Sequence, residues 1–220
     1  FRAERGARSE RRERGMSGAT ADQPRQPPII IGISGSSGAA LAIRAIEILG
    51  ELGVPMHITY TQACRQVWPD EVGRTLADDL ADWKTHLHAR VFNPDDFRAP
   101  ISSGSFRTAG MLVIPCSMRT VSAIAHGGSS NLLERAADVV IKEGRRLTLV
   151  PRESPLSAIH LENLLALARL GVRIVPPMPQ FYLRPQSADE IIDLMARRAL
   201  AAHGIEQALP DASRWRGDEA

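Results

Sequence analysis

The stretch Ile29-Ile-Ile-Gly-Ile-Ser-Gly-Ser-Ser-Gly38, running into Ala39-Ala-Leu-Ala-Ile-Arg-Ala-Ile-Glu-Ile-Leu-Gly-Glu-Leu52, decides the fold. Pro28–Ser34 reads as a buried strand, a short apolar run rich in β-branched residues. Gly38–Leu52 reads as a helix, because Leu41, Ala42, Ala45, Ile46, Leu49 and Leu52 recur near a 3.6-residue period. Gly53 and Pro55 stop that helix, and Met56–Tyr60 follows as a second strand. Strand, glycine-rich turn, helix and strand in this order make a parallel βαβ unit.

The same alternation continues outward. Gln62–Trp68 and Thr75–Leu87 read as helices, Arg90–Phe92 as a short strand, and Phe97–Phe106 as a long loop. Met111–Cys116 reads as a strand that turns into a helix at Ser117–Thr120. Asn131–Lys142 reads as a helix opened by an Asn131/Glu134 capping box and ended by Gly144. Then come a strand at Arg146–Val150, a helix at Ser157–Leu170 closed by Gly171, and a strand at Val172–Val175. Ser187–His203 is the last helix, with a Ser187/Glu190 capping box. Apolar strands each separated by a helix predict one α/β domain built on a doubly wound parallel sheet. There is no internal repeat and no second domain; the expected domain covers 28–204, between tails at 1–27 and 205–220.

The chain has 220 residues with a formal net charge of +2. Seven arginines and four acids fall in residues 1–27, leaving 20 basic and 21 acidic residues in the body. The basic excess therefore belongs to a tail expected to be disordered and does not mark a nucleic-acid-binding face. Met16, opening MSGATADQP, reads as a natural start. No apolar run approaches the ~18–20 residues needed to span a bilayer, and no apolar segment follows the basic start as in a signal peptide. Cys64 and Cys116 form neither a disulfide framework nor a metal pattern, so a cytoplasmic setting is expected.

In such sheets ligands bind beyond the carboxyl ends of the strands. Gly32–Gly38 lies there, with glycines that admit close approach and Ser34, Ser36 and Ser37 as donors beside a helix N-terminus. Its spacing is neither GxGxxG nor a P-loop, and a plain strand–helix turn would look similar. Pro115–Thr120 is a second such turn, with two hydroxyls and Arg119. Pro151–Pro155 holds Arg152 and Glu153 between prolines, and Phe181-Tyr182 stands in a Pro-rich loop. Lys142 and Arg198 add positive charge, though each alone reads as a solvated helix face.

Together these segments resemble the UbiX-type flavin prenyltransferases, once described as decarboxylase subunits. The resemblance spans about Ile29 to His203 and rests on GISGSSGA, SSGSF, PCSMRTVSAIAHG, NLLERAADVVIKE, LVPRESPLSAIHLENLLAL and PPMPQFYLRPQS. It implies a flavodoxin-like fold, FMN, and transfer of a dimethylallyl group from dimethylallyl phosphate to N5 and C6 of reduced FMN without a metal. The prenylated FMN would pass to a UbiD-type decarboxylase, and a homododecamer built from trimers is implied. By resemblance Gly35, Ser36, Ser37, Thr61, Ser117, Met118, Arg119, Thr120 and Arg152 fall on flavin-binding positions. Gly104, Lys142, Tyr182 and Arg198, with Arg135 nearby, fall on positions that hold the allylic phosphate. Glu71, Glu153 and the relay Ser37 fall on catalytic positions. Phe97 departs from a frequent Trp and Gln62 from a frequent Lys.

Two other readings compete. A flavin-dependent cysteine decarboxylase shares the fold, but PPMPQFYLRPQ lacks the PxMNxxMW motif of that type. A non-catalytic flavin carrier would bind FMN without changing its mass.

Overall fold

The computed structural model describes residues 26–210. The Arg-rich segment before residue 26 and the residues after 210, both expected to be tails, lie outside the described residues. Six strands, β1 (Ile29–Ile33), β2 (Met56–Tyr60), β3 (Arg90–Val91), β4 (Met111–Cys116), β5 (Leu147–Pro151) and β6 (Arg173–Ile174), form one sheet. The order is β3-β2-β1-β4-β5-β6, and every pairing is parallel. Setting aside the two-residue edge strand β3, this is the flavodoxin-like order. The chain winds outward from β1 in one direction and from β4 in the other, so β1 and β4 flank the switch point.

Seven helices cover the sheet: α1 (Ala39–Glu51), α2 (Gln62–Val72), α3 (Leu76–His86), α4 (Met118–Ala125), α5 (Leu132–Lys142), α6 (Ala158–Arg169) and α7 (Ala188–His203). The period of two along each strand sorts its side chains between two cores. Ile29, Ile31, Ile33, Leu112 and Ile114 pack under α1, α2, α3 and α7. Ile30, Met111, Val113 and Cys116 pack under α4, α5 and α6. Burial on both faces is why these strands read as continuous apolar runs rather than alternating ones.

Two boundaries differ from the sequence reading. Helix α2 does not stop at Trp68 but runs through Pro69 to Val72, placing Glu71 on its last turn. Proline in a helix costs about 3 kcal/mol, and burial of Trp68 at 1% exposure helps offset it. Residues 205–208, expected to belong to the carboxyl-terminal tail, pack on the domain. Ile205 and Ala208 pack into the core, and the Arg197 guanidinium donates to the Ala208 carbonyl at 2.9 Å.

The capping boxes also shift in detail. Asn131 and Ser187 cap the amides of Glu134 and Glu190 as expected, but each glutamate reaches one residue further back, to the amides of Ser130 and Gln186. Complete boxes occur at Thr75/Asp78 and Ser157/His160.

Candidate active site

The turn after β1 is built for close approach. A Cβ on Gly35 would lie 2.6 Å from the Ala63 Cβ, so glycine lets this loop press on the first turn of α2. Gly38, the N-cap of α1, holds φ +124, a conformation that L side chains rarely adopt. With no side-chain cap of its own, α1 is capped from elsewhere: Glu71 Oε2 accepts the amides of Gly38 at 2.8 Å and Ala39 at 2.9 Å. Burial raises the Glu71 pKa, but the Gly38 amide, the Ser37 hydroxyl, the Ala39 amide and the Arg152 charge lower it, and they win. Glu71 is thus held as a carboxylate. Arg152, after β5, joins the same cluster by donating to the Ser37 carbonyl at 3.2 Å.

Ser34 ties the two halves of the site together. Its hydroxyl donates to the Pro115 carbonyl at 3.0 Å and accepts the Ser117 amide at 2.6 Å, fixing the end of β1 against the end of β4. Ser117 then caps α4 through the Thr120 amide and meets the Thr120 hydroxyl at 3.0 Å. Beside this seam is a cavity of about 200 Å³, lined in part by Gly35, Thr61, Ser117, Arg119 and Thr120. The first turns of α2 and α4 meet there, and two helix N-termini favour an anion. Thr61, the N-cap of α2, makes no capping bond; its buried hydroxyl has no partner, and neither has that of Ser36. Buried hydroxyls left unpaired are costly and point to an absent partner. The site can therefore hold a phosphate at Thr61 and Ser117–Thr120, and a larger polar group over the Gly35–Ser37 loop.

Apart from Gln62, already singled out as a departure from a frequent Lys, several lining residues were not foreseen. Ser130, Asn131 and Glu134 form one wall, where the buried Glu134 carboxylate accepts from the Ser130 amide, the Ser130 hydroxyl and the Asn131 side chain. Gln62 and Asp95 form another part, joined by a 2.9 Å hydrogen bond. The Asn131/Glu134 box was visible in the sequence as a helix start; its place at the cavity follows only from the path of α5.

Of the residues expected to hold a phosphate ester, Lys142 and Gly104 are not gathered with this cluster in one chain. The amide of Leu132, opening α5, bonds to Pro94 near the carboxyl end of β3, so α5 runs back toward the amino edge of the sheet. There Arg145 donates to the carbonyls of Gly104 and Phe106, and the Arg146 carbonyl accepts from Met111, the first residue of β4. Lys142 and Gly104 therefore lie at the edge opposite Glu71, and Lys142 faces Glu143 at 3.4 Å. Arg135 is engaged by the Ser102 carbonyl and Asp138. Tyr182 stands exposed in the 3₁₀ turn Phe181–Leu183, and Arg198 is exposed on α7. Glu153 is exposed after β5, beside Arg152, and accepts the Ser154 amide. Met118 is buried beneath the first turn of α4.

Neither thiol is reactive here, since burial pushes Cys64 up to about 12 and raises Cys116 further. Among the described residues no cluster of His, Cys, Asp and Glu could hold a metal ion, and no helix is long and apolar enough to cross a membrane.

The profile of the flavoprotein family matches residues 17–200. The flavin prenyltransferase UbiX of Halalkalibacterium halodurans is 44% identical over 198 residues, covering 86% of this chain and 93% of that protein. The chain belongs to the UbiX-type flavin prenyltransferase family. Two solved structures agree with that membership. The dodecameric FMN-dependent UbiX-like decarboxylase of Escherichia coli O157:H7 superposes with a TM-score of 0.79 at 46% identity, covering 86% of this chain and 100% of that one. AnUbiX in complex with FMN and dimethylallyl pyrophosphate gives a TM-score of 0.80 at 38% identity, covering 88% and 99%. The UbiX-type fold is thus shared over nearly all the described residues.

Proposed function

We propose that this UbiX-type chain joins the dimethylallyl group of dimethylallyl phosphate to N5 and C6 of reduced FMN, and that prenylated FMN passes to a UbiD-type decarboxylase. The observation that carries this reading is the cavity at the β1–β4 switch point, with the unpaired Thr61 hydroxyl in its lining beside two helix N-termini and the unpaired Ser36 hydroxyl on the adjoining loop. These donors fit FMN. Thr61, Ser117 and Thr120 hold its phosphate, Arg119 adds charge at the rim, and Gly35, Ser36, Ser37 and Arg152 border its ring.

Bound FMN supplies the ring nitrogen and carbon to which the allylic group is joined. Glu71, fixed at the α1 N-terminus with Ser37 as its relay, accepts the proton that leaves the ring carbon. Glu153 hands the departing phosphate oxygen the proton displaced from N5, and Glu71 with Ser37 returns the ring-carbon proton to the allylic double bond as the second bond closes, so that atoms balance. Cleavage of the allylic C–O bond builds negative charge on that phosphate, which Lys142, Arg198 and the Tyr182 hydroxyl stabilise. Phe97, exposed near the end of β3, offers a π-face to the positive allylic fragment. Since Lys142 and Gly104 lie at the opposite edge from Glu71, they reach the site from neighbouring copies in a homododecamer.

Anaerobic incubation with reduced FMN and dimethylallyl phosphate, followed by mass spectrometry of the flavin, tests this. The wild-type protein should raise the flavin mass by one prenyl group; binding with no mass change would show a carrier instead. Glu71→Gln keeps size and hydrogen bonding, so FMN should still bind while product formation slows ~10²–10⁴-fold, as for a lost general base. Wild-type product formation in that variant would remove Glu71 from the reaction.

A further inference from the structure

The turn that carries Glu71 has little support of its own. Pro69 removes one amide from α2, and the helix ends two residues after Glu71 at Gly73, whose amide bonds to the Pro69 carbonyl at 2.9 Å. Across from it lies Asp79, a carboxylate on α3 with 1% exposure. Its two oxygens have different partners. One accepts the Trp68 indole N–H at 2.8 Å, and the other accepts the Arg74 guanidinium at 2.8 Å. Trp68 and Arg74 stand three residues before and three after Glu71, so the bonds bracket it. Trp68 also meets Trp83 of α3 edge to face, with ring centroids 6.1 Å apart.

We infer that Asp79 is a positioning residue for Glu71: it anchors the last turn of α2 on both sides and thereby holds the Glu71 carboxylate against the amides of Gly38 and Ala39. A buried carboxylate earns no place in an apolar helix interface unless its hydrogen bonds are met, and here those bonds lead to the segment on either side of the proposed base. The inference rests on the role of Glu71 proposed above, and its test separates the two.

Asp79→Asn retains shape but has one acceptor oxygen, so it can serve Trp68 or Arg74 and turns N–H donors toward the other. In flavin-free protein, hydrogen exchange at the Gly38 and Ala39 amides should speed up about tenfold. In turnover with reduced FMN and dimethylallyl phosphate, kcat should fall about tenfold while KM for each substrate stays within about twofold, the pattern of a misplaced catalytic group. The double variant Asp79→Asn/Glu71→Gln should be no slower than Glu71→Gln, because both act through one carboxylate. Trp68→Phe, which removes the indole N–H together with the five-membered ring that bears it, takes the place of Asp79→Asn if the latter does not fold, with the same direction expected. Wild-type amide exchange and kcat in a folded Asp79 or Trp68 variant would overturn the inference, as would losses that multiply fully in the double variant. If Glu71→Gln itself turns over normally, the reading of Glu71 as base fails, and amide exchange alone decides whether Asp79 positions it.

Discussion

Ser34 does more than its place in a serine-rich loop suggests. It is 1% exposed, and one hydroxyl bonds the end of β4 at two points, 81 and 83 residues away along the chain. Replacing it by alanine leaves the Ser117 amide and the Pro115 carbonyl without that partner in a closed seam. A buried group so orphaned costs about 1–3 kcal/mol. Ser34→Ala should therefore lower the free energy of unfolding by that amount, shifting the urea midpoint down, and weaken FMN binding, because the Ser117 turn borders the proposed phosphate site. Denaturation followed by flavin-fluorescence titration checks both; an unchanged midpoint would mean that the seam is held by the backbone bonds alone.

At the scale of elements, α7 is fastened at its end. His203 is buried, and its Nδ1 meets the Thr148 hydroxyl of β5 at 3.0 Å. Arg146 and Arg173 donate to the carbonyls of His203 and Ala202, the arrangement that a helix C-terminus favours. Burial first, then the charges of Arg146 and Arg173, push the His203 pKa down to about 4. His57, on β2 between Phe92 and Phe106, is pushed to about 4 as well, by burial and then by Arg90. Both folded values lie below the unfolded one, so the unfolded chain binds more protons as the medium turns acid. Their stabilisation is complete above about pH 6.5 and is lost as pH falls toward about 4, at up to about 1.4 kcal/mol per pH unit for each histidine. Urea unfolding between pH 7 and 4 should show this slope, and His203→Gln should make it shallower. An identical slope in that variant would exclude His203 as a source.

At the scale of the whole molecule, one chain carries the two proposed halves of a site on opposite edges of its sheet. Glu71 and Lys142 are each fixed by the helix that bears them, and the two helices leave them at different ends. If neighbouring copies complete each site, two defective variants should rescue each other. Glu71→Gln and Lys142→Ala, each nearly inactive alone, should regain about a quarter of wild-type activity when dissociated and reassembled in equal amounts, since each site then draws its two groups from different copies. Activity no greater than the sum of the separate variants would place both groups in one chain's site.

The sequence by itself determined the alternation of strand and helix, the parallel sheet, the helix starts at Asn131, Ser157 and Ser187, and the turns that would face a ligand. These depend on periodicity and on caps that act within three or four residues, so they are written locally. The family signatures added which residue types belong to the site. Only the tertiary structure decided the rest. It carried α2 past Pro69, because Trp68 is buried in the core and Asp79 of α3 holds its indole from outside the helix. It placed Glu134 in the cavity wall and extended the packed chain to Ala208. It also set Lys142 on the edge away from Glu71, which no spacing along the chain reveals. The reason is the polarity of a parallel sheet: each strand end faces one edge and each returning helix ends at the other, so nearness in space follows the direction of the elements rather than the order of the residues.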